Sequence, residues 1–179
     1  MARKRKTAQQ LYATKQVAAI LDVAEWRVKN FSEGGAYGLP PSQTVGSGRG
    51  SRRLYGAMDI CRLAIANELV NCGFTPETVG RAVREIPESL LLETLYPYHD
   101  DDEEQPEEPE EGPPMLVYMY GNWKVREGGT FDEALKHHFS NFQGVSHGIF
   151  ILNLWSLVSG VREKLEALRD QSKVLVKGD

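Results

Sequence analysis

The sequence predicts a mainly α-helical protein with small β elements. An N-terminal helix-turn-helix is followed by a small C-terminal α+β module that ends in a long helix. Three observations predict this. Apolar residues recur at helical spacing through the first half of the chain, and an acidic, proline-containing run follows. Beyond that run, strand-period aromatic residues give way to a heptad repeat. The implied organisation is a basic disordered arm over 1–10, a helical domain over 11–97, an acidic linker over 98–114 and the C-terminal module over 115–179.

The first helix is predicted in KQVAAIL, N-capped by Thr14, with Val17, Ala18 and Leu21 on one face. A turn at Asp22-Val23 leads to a second helix near Ala24–Phe31. Val28 and Phe31 face inward there, while Trp26, Arg27, Lys29 and Asn30 face largely outward. Next, GLPPSQTVGSGRGSRRLY is a loop or hairpin that displays Arg49, Arg52 and Arg53 and returns into Leu54 and Tyr55. A third helix spans about Met58–Asn71, with Gly73 as its left-handed terminator. Thr75-Pro76 then opens a fourth, which ends before Pro87. Ser89–Leu95 forms a short covering helix.

The 179 residues fit one domain or two small ones, and at 41% hydrophobic the chain is of ordinary globular composition. No apolar run approaches the roughly 20 residues a membrane span requires, and no secretory signal follows the basic start. These features predict a cytoplasmic, nucleoid-associated protein. The net charge of −4 conceals a division: residues 1–84 hold 13 Lys+Arg against 6 Asp+Glu, and residues 85–179 hold 8 against 19. Nine of those acidic residues fall in Asp100–Glu111. That segment cannot bury enough apolar surface to offset chain entropy, so it is predicted to be an extended linker. The basic half is the candidate polyanion binder.

Over roughly Tyr12–Ile86 the chain resembles the MerR family of bacterial winged-helix transcription regulators. The resemblance is carried by Tyr12-x-Thr14-x-x-Val17-Ala18, the turn Asp22-Val23, Val28-Lys29, Gly50-x-x-Arg53-Leu54-Tyr55 and Gly73-Phe74-Thr75-x-Glu77-x-Val79. It implies that the N-terminal part is a winged helix-turn-helix. It also implies a dimer that distorts promoter DNA, with RNA polymerase at the promoter as a further partner. The chain departs from the family at Asp22, where glycine is usual, and at Lys29-Asn30-Phe31, which replaces an Arg-Tyr-Tyr-like run. The Ser32–Gly50 segment is also longer than typical.

The expected function is therefore sequence-specific binding of double-stranded DNA by a dimeric transcription regulator, with its second helix in the major groove. Arg27 and Lys29 reach guanine or phosphate, and Asn30 pairs with adenine. Trp26 packs either on sugar or a thymine methyl, or in the core. Lys15 is assigned to phosphate, and Arg49, Arg52 and Arg53 to phosphate or the minor groove. Two alternatives stand beside this reading. One is a phage-like excisionase or DNA-packaging recognition subunit with a winged helix. The other is a protein-interaction adaptor whose basic half binds an acidic protein surface.

In the C-terminal module, LVYMY-GN-WKVRE reads as a hairpin about a Gly-Asn turn, with Leu116, Tyr118, Tyr120, Trp123 and Val125 sharing a face. Thr130-x-x-Glu133 is a capping box opening a helix through about Phe139. GIFILNL is a buried strand or the start of the last helix. The heptad seam Leu154, Val158, Val161, Leu165 and Leu168 is assigned to a homodimer interface, with packing inside the subunit as the alternative. The aromatic hairpin is either core or the lining of a small-molecule effector pocket.

No cofactor, metal site or enzymatic activity is expected. Cys61 and Cys72 lie eleven residues apart on one helix, or ~16 Å at 1.5 Å per residue, too far to share a metal. His137 and His138 are adjacent and so diverge, leaving His147 as a remote third candidate. GSGRGS lacks the spacing of a phosphate-binding loop.

Overall fold

The computed structural model describes residues 10–33, 35, 37–47, 50–96, 112–119, 122–130, 132–133 and 150–176. Among these the fold is mixed, with six helices and two small three-stranded antiparallel sheets. The basic arm, Arg49, the acidic run, Tyr120, the helix expected beyond Glu133, and the three histidines just named lie outside the described residues.

The chain opens with β1 (Tyr12–Ala13), α1 (Thr14–Leu21) and α2 (Glu25–Ser32). Thr14 lies inside α1 and does not cap it. The cap is Ala13, whose N–H donates to Gln16 Oε1 at 2.9 Å, so a side chain three residues on does the work expected of the threonine. Asp22 ends α1 in the left-handed region, at φ 54°, and is the one described non-glycine residue there. Its N–H and that of Val23 return to Ala19 and Ala18 carbonyls, which permits the tight reversal into α2.

β2 (Gln43–Val45) and β3 (Arg52–Tyr55) form an antiparallel hairpin, and β1 adds to the other edge of β3, giving the order β1-β3-β2. α3 (Ala57–Asn71) follows and is buried on most of its circumference. It closes with Gly73 at φ +88°: the Gly73 N–H returns to Val70 and the Phe74 N–H to Leu69, satisfying two terminal carbonyls. α4 (Pro76–Glu85) and α5 (Glu88–Leu95) complete this half, with Pro76 at the first helical position as expected.

The second sheet has the order β5-β4-β6, from β4 (Met115–Met119), β5 (Asn122–Arg126) and β6 (Phe150–Asn153). Its hairpin register corrects the expected Gly-Asn turn. Met119 pairs with Asn122, so Asn122 belongs to β5 and not to the turn. This register sets Leu116 opposite Val125 and Tyr118 opposite Trp123. The expected shared face holds for Leu116, Tyr118, Trp123 and Val125. GIFILNL resolves as β6 running directly into α6 (Leu154–Val176).

Both halves share one apolar core. Phe74 at the end of α3 meets Tyr118, Trp123 and Phe150 at centroid distances of 5.0–5.1 Å. Trp123 Nε1–H donates to the Thr78 carbonyl on α4 at 3.1 Å, giving the indole a partner where it is buried. α6 packs on α3, α5 and α1, and the Lys164 ammonium donates to the Ile20 carbonyl near the end of α1 at 2.8 Å.

This packing corrects the assignment of the heptad seam to a dimer interface. Leu154, Val158, Val161 and Leu165 are 1%, 0%, 5% and 8% exposed within a single chain, and Leu168 packs against the same cluster. About two heptads are too short to pair alone, but α3 and α5 offer an apolar surface within the same chain.

The two cysteines have opposite surroundings. Burial pushes the Cys61 thiol up to about 12, while Cys72 is exposed. Iodoacetamide should therefore modify Cys72 in the native protein and spare Cys61 until denaturant is added, because the thiolate is the nucleophile. Equal rates at both thiols by peptide mass mapping would contradict this placement of α3.

Candidate nucleic-acid interface

Three segments build the site. The first is the N-terminal turn of α1, carrying Lys15. A cation there opposes the helix dipole, so local helix stability does not call for it. The second is α2, whose apolar residues Val28 and Phe31 anchor it to the core and leave Trp26, Lys29 and Asn30 exposed. The third is β3, carrying Arg52 and Arg53.

A buried hydrogen-bond relay sets β3 against α2. Ser32 Oγ donates to the Val28 carbonyl at 2.9 Å and lies 3.0 Å from the Tyr55 hydroxyl. Since the serine proton is already given to Val28, the tyrosine O–H is the donor. Tyr55 is fully buried, and Arg53 lies two residues before it on the same strand face. The base of the hairpin is fixed as well. Asp59, in the first turn of α3, accepts from the Gly56 N–H at 2.9 Å and from both the N–H and hydroxyl of Ser42.

The result is an open groove of about 390 Å³ lined by Ala13, Thr14, Lys15, Glu25, Lys29, Glu33, Ser51, Arg52 and Arg53. Four of the residues expected to contact DNA meet there, from three elements separated by up to 38 positions. Two carboxylates accompany the four cations, so the groove carries a net charge of +2. Arg53 Nη2 pairs with Glu33 Oε1 at 2.8 Å. Lys15, Lys29 and Arg52 have no carboxylate within ion-pair distance among the described residues.

The remaining expected contacts divide. Trp26 is 66% exposed, which removes the core alternative for it. Asn30 is exposed on α2. Arg27 is half-buried, and its Nη2 donates to Asn71 Oδ1 at 2.6 Å in a solvent-exposed bond between α2 and the end of α3. Glu25 and Glu33 were not anticipated, although their spacing of four on either side of Lys29 places all three on one helix face. Among the described residues no cluster of His, Cys, Asp and Glu could hold a metal ion. No helix among them is long and apolar enough to cross a membrane.

The chain matches no protein-family model, and no curated protein is found to be similar to it.

Proposed function

We propose that this protein is a sequence-specific double-stranded DNA-binding transcription regulator, a MerR-like winged helix-turn-helix. In this reading α2 enters the major groove and the β2–β3 hairpin is the wing that lies on the backbone. The observation that carries it is the convergence of Lys15, Lys29, Arg52 and Arg53 on one groove beside the exposed face of α2. An open groove lined by cations, next to an exposed asparagine and tryptophan on a short helix, suits a duplex. Phosphate meets the cations, and base edges meet the amide.

The protein acts as a dimer in this reading, with two α2 helices reading half-sites about 34 Å apart or a multiple of it. Its pairing surface lies outside the heptad seam, which the core occupies.

Binding to a random-sequence duplex, followed by anisotropy over a range of salt, tests the proposal. A dimer neutralising about six to eight phosphates gives a slope of log affinity against log salt of roughly −5 to −7. Selection from a random library should then return a palindromic site. A flat salt dependence, or no affinity at low salt, would sink the reading in favour of an adaptor for proteins. A promoter fusion separates a regulator from an excisionase or packaging subunit, since only the regulator changes transcription.

A further inference from the structure

We infer that Glu33 is a built-in competitor for the DNA backbone, holding Arg53 in the place a phosphate takes when the groove is filled. The inference rests on the proposed DNA-binding function and names what limits affinity at that site.

Glu33 caps the C-terminal end of α2, and Arg53 projects from β3. Their atoms meet at 2.8 Å across the junction between helix and hairpin, at the margin of the groove that also holds Lys29 and Arg52. A carboxylate and a phosphate present the same kind of partner to a guanidinium: anionic oxygens that accept charge-assisted hydrogen bonds. While Glu33 holds Arg53, that arginine adds nothing to the net charge a duplex meets.

The pair is also weak enough to exchange. The Glu33 side chain is 58% exposed and that of Arg53 24%, and solvent screening leaves such pairs little net stability. It is a single contact between Nη2 and Oε1. Phosphate therefore displaces the carboxylate easily, but the displaced charge stays beside the backbone and repels it. The site thus binds every duplex less tightly than its cations alone would allow. This penalty is independent of sequence, so it weakens non-specific binding without touching the base contacts of α2.

Titration of the full chain with a random-sequence duplex across salt concentration tests this. Glu33→Gln should steepen the log–log slope by about 0.9 per bound protomer and tighten binding about eightfold per protomer near 0.1 M salt. Arg53→Ala in the wild-type background leaves the Glu33 charge unpaired beside the duplex and should flatten the slope by about 0.9 per bound protomer. In the Glu33→Gln background it should cancel the gain, which no loss of folding in a single variant would imitate. Glu33→Ala should behave like the glutamine variant, with the native circular dichroism spectrum retained in each case. An unchanged or flatter slope for Glu33→Gln, with wild type still binding, overturns the inference alone. Such a result would mean that the carboxylate orients Arg53 productively. Wild type without affinity at low salt overturns the DNA-binding reading itself.

Discussion

Replacing Lys29 and Arg52 together by alanine is expected to abolish most DNA affinity at physiological salt while leaving the fold intact. Both side chains line the groove, both are exposed, and neither has an ion-pair partner among the described residues. Their removal leaves no buried group unsatisfied. Each phosphate contact contributes about 0.9 to the magnitude of the salt slope, so a dimer losing four contacts drops by about 3.6. Near 0.1 M salt that is a loss of between three and four decades in affinity, and a monomer losing two contacts would lose about half as many decades. The change in slope therefore reports the number of protomers bound as well as the residues responsible. The loss should be equal for matched and random duplexes, because backbone contacts carry no sequence information. A variant that kept the wild-type slope from about 50 to 200 mM salt would show that the duplex does not occupy this groove.

Much of the framework was legible because local chemistry decided it. Asp22 and Gly73 stand where the backbone must turn left-handed, and Val28 and Phe31 stand on the only apolar face that α2 has. The cations of the groove were legible as residue types. Their convergence was not, since it depends on Tyr55 reaching the Ser32 hydroxyl across 23 positions and on Asp59 holding Ser42 across 17. The same distance hid the fate of Arg27. An outward arginine on a short helix reads as a ligand contact until Asn71, 44 positions away, comes within hydrogen-bond reach. Glu33 was hidden differently. A carboxylate beside lysine at helical spacing reads as an ordinary surface charge, and its significance came only with Arg53 on the neighbouring strand. The hairpin register slipped for a further reason. Gly-Asn is a strong turn signal, but it is local, whereas the register also has to bring Trp123 beside Tyr118 and within reach of Phe74 and the Thr78 carbonyl.

The heptad seam gives the second large effect. Leu154→Ala is expected to cost about 2–5 kcal/mol of stability, because a buried leucine loses both its transfer free energy and its packing partners. Leu154 is 1% exposed in the single chain, and its N–H donates to the Pro114 carbonyl at 2.9 Å, fixing the junction between β6 and α6. Val158→Asp, at a site with no exposure, should be more damaging still, since it buries a charge without a partner. Urea unfolding at two protein concentrations tenfold apart distinguishes the two uses of a heptad repeat. A seam closed within the chain loses stability equally at both concentrations. A seam between subunits would make the cost of Leu154→Ala differ between the two concentrations by up to about 1.4 kcal/mol, whatever concentration dependence pairing elsewhere gives the wild type. The effect should also reach the far end of the molecule. α6 packs on α1 and α3, and Lys164 holds the Ile20 carbonyl next to the Asp22 turn. Loosening α6 therefore releases the helices that carry Lys15 and Lys29. Hydrogen exchange in α1 and α2 should rise in Leu154→Ala under native conditions, and unchanged protection there would mean that residues 115–179 form a separate unit with a core of their own.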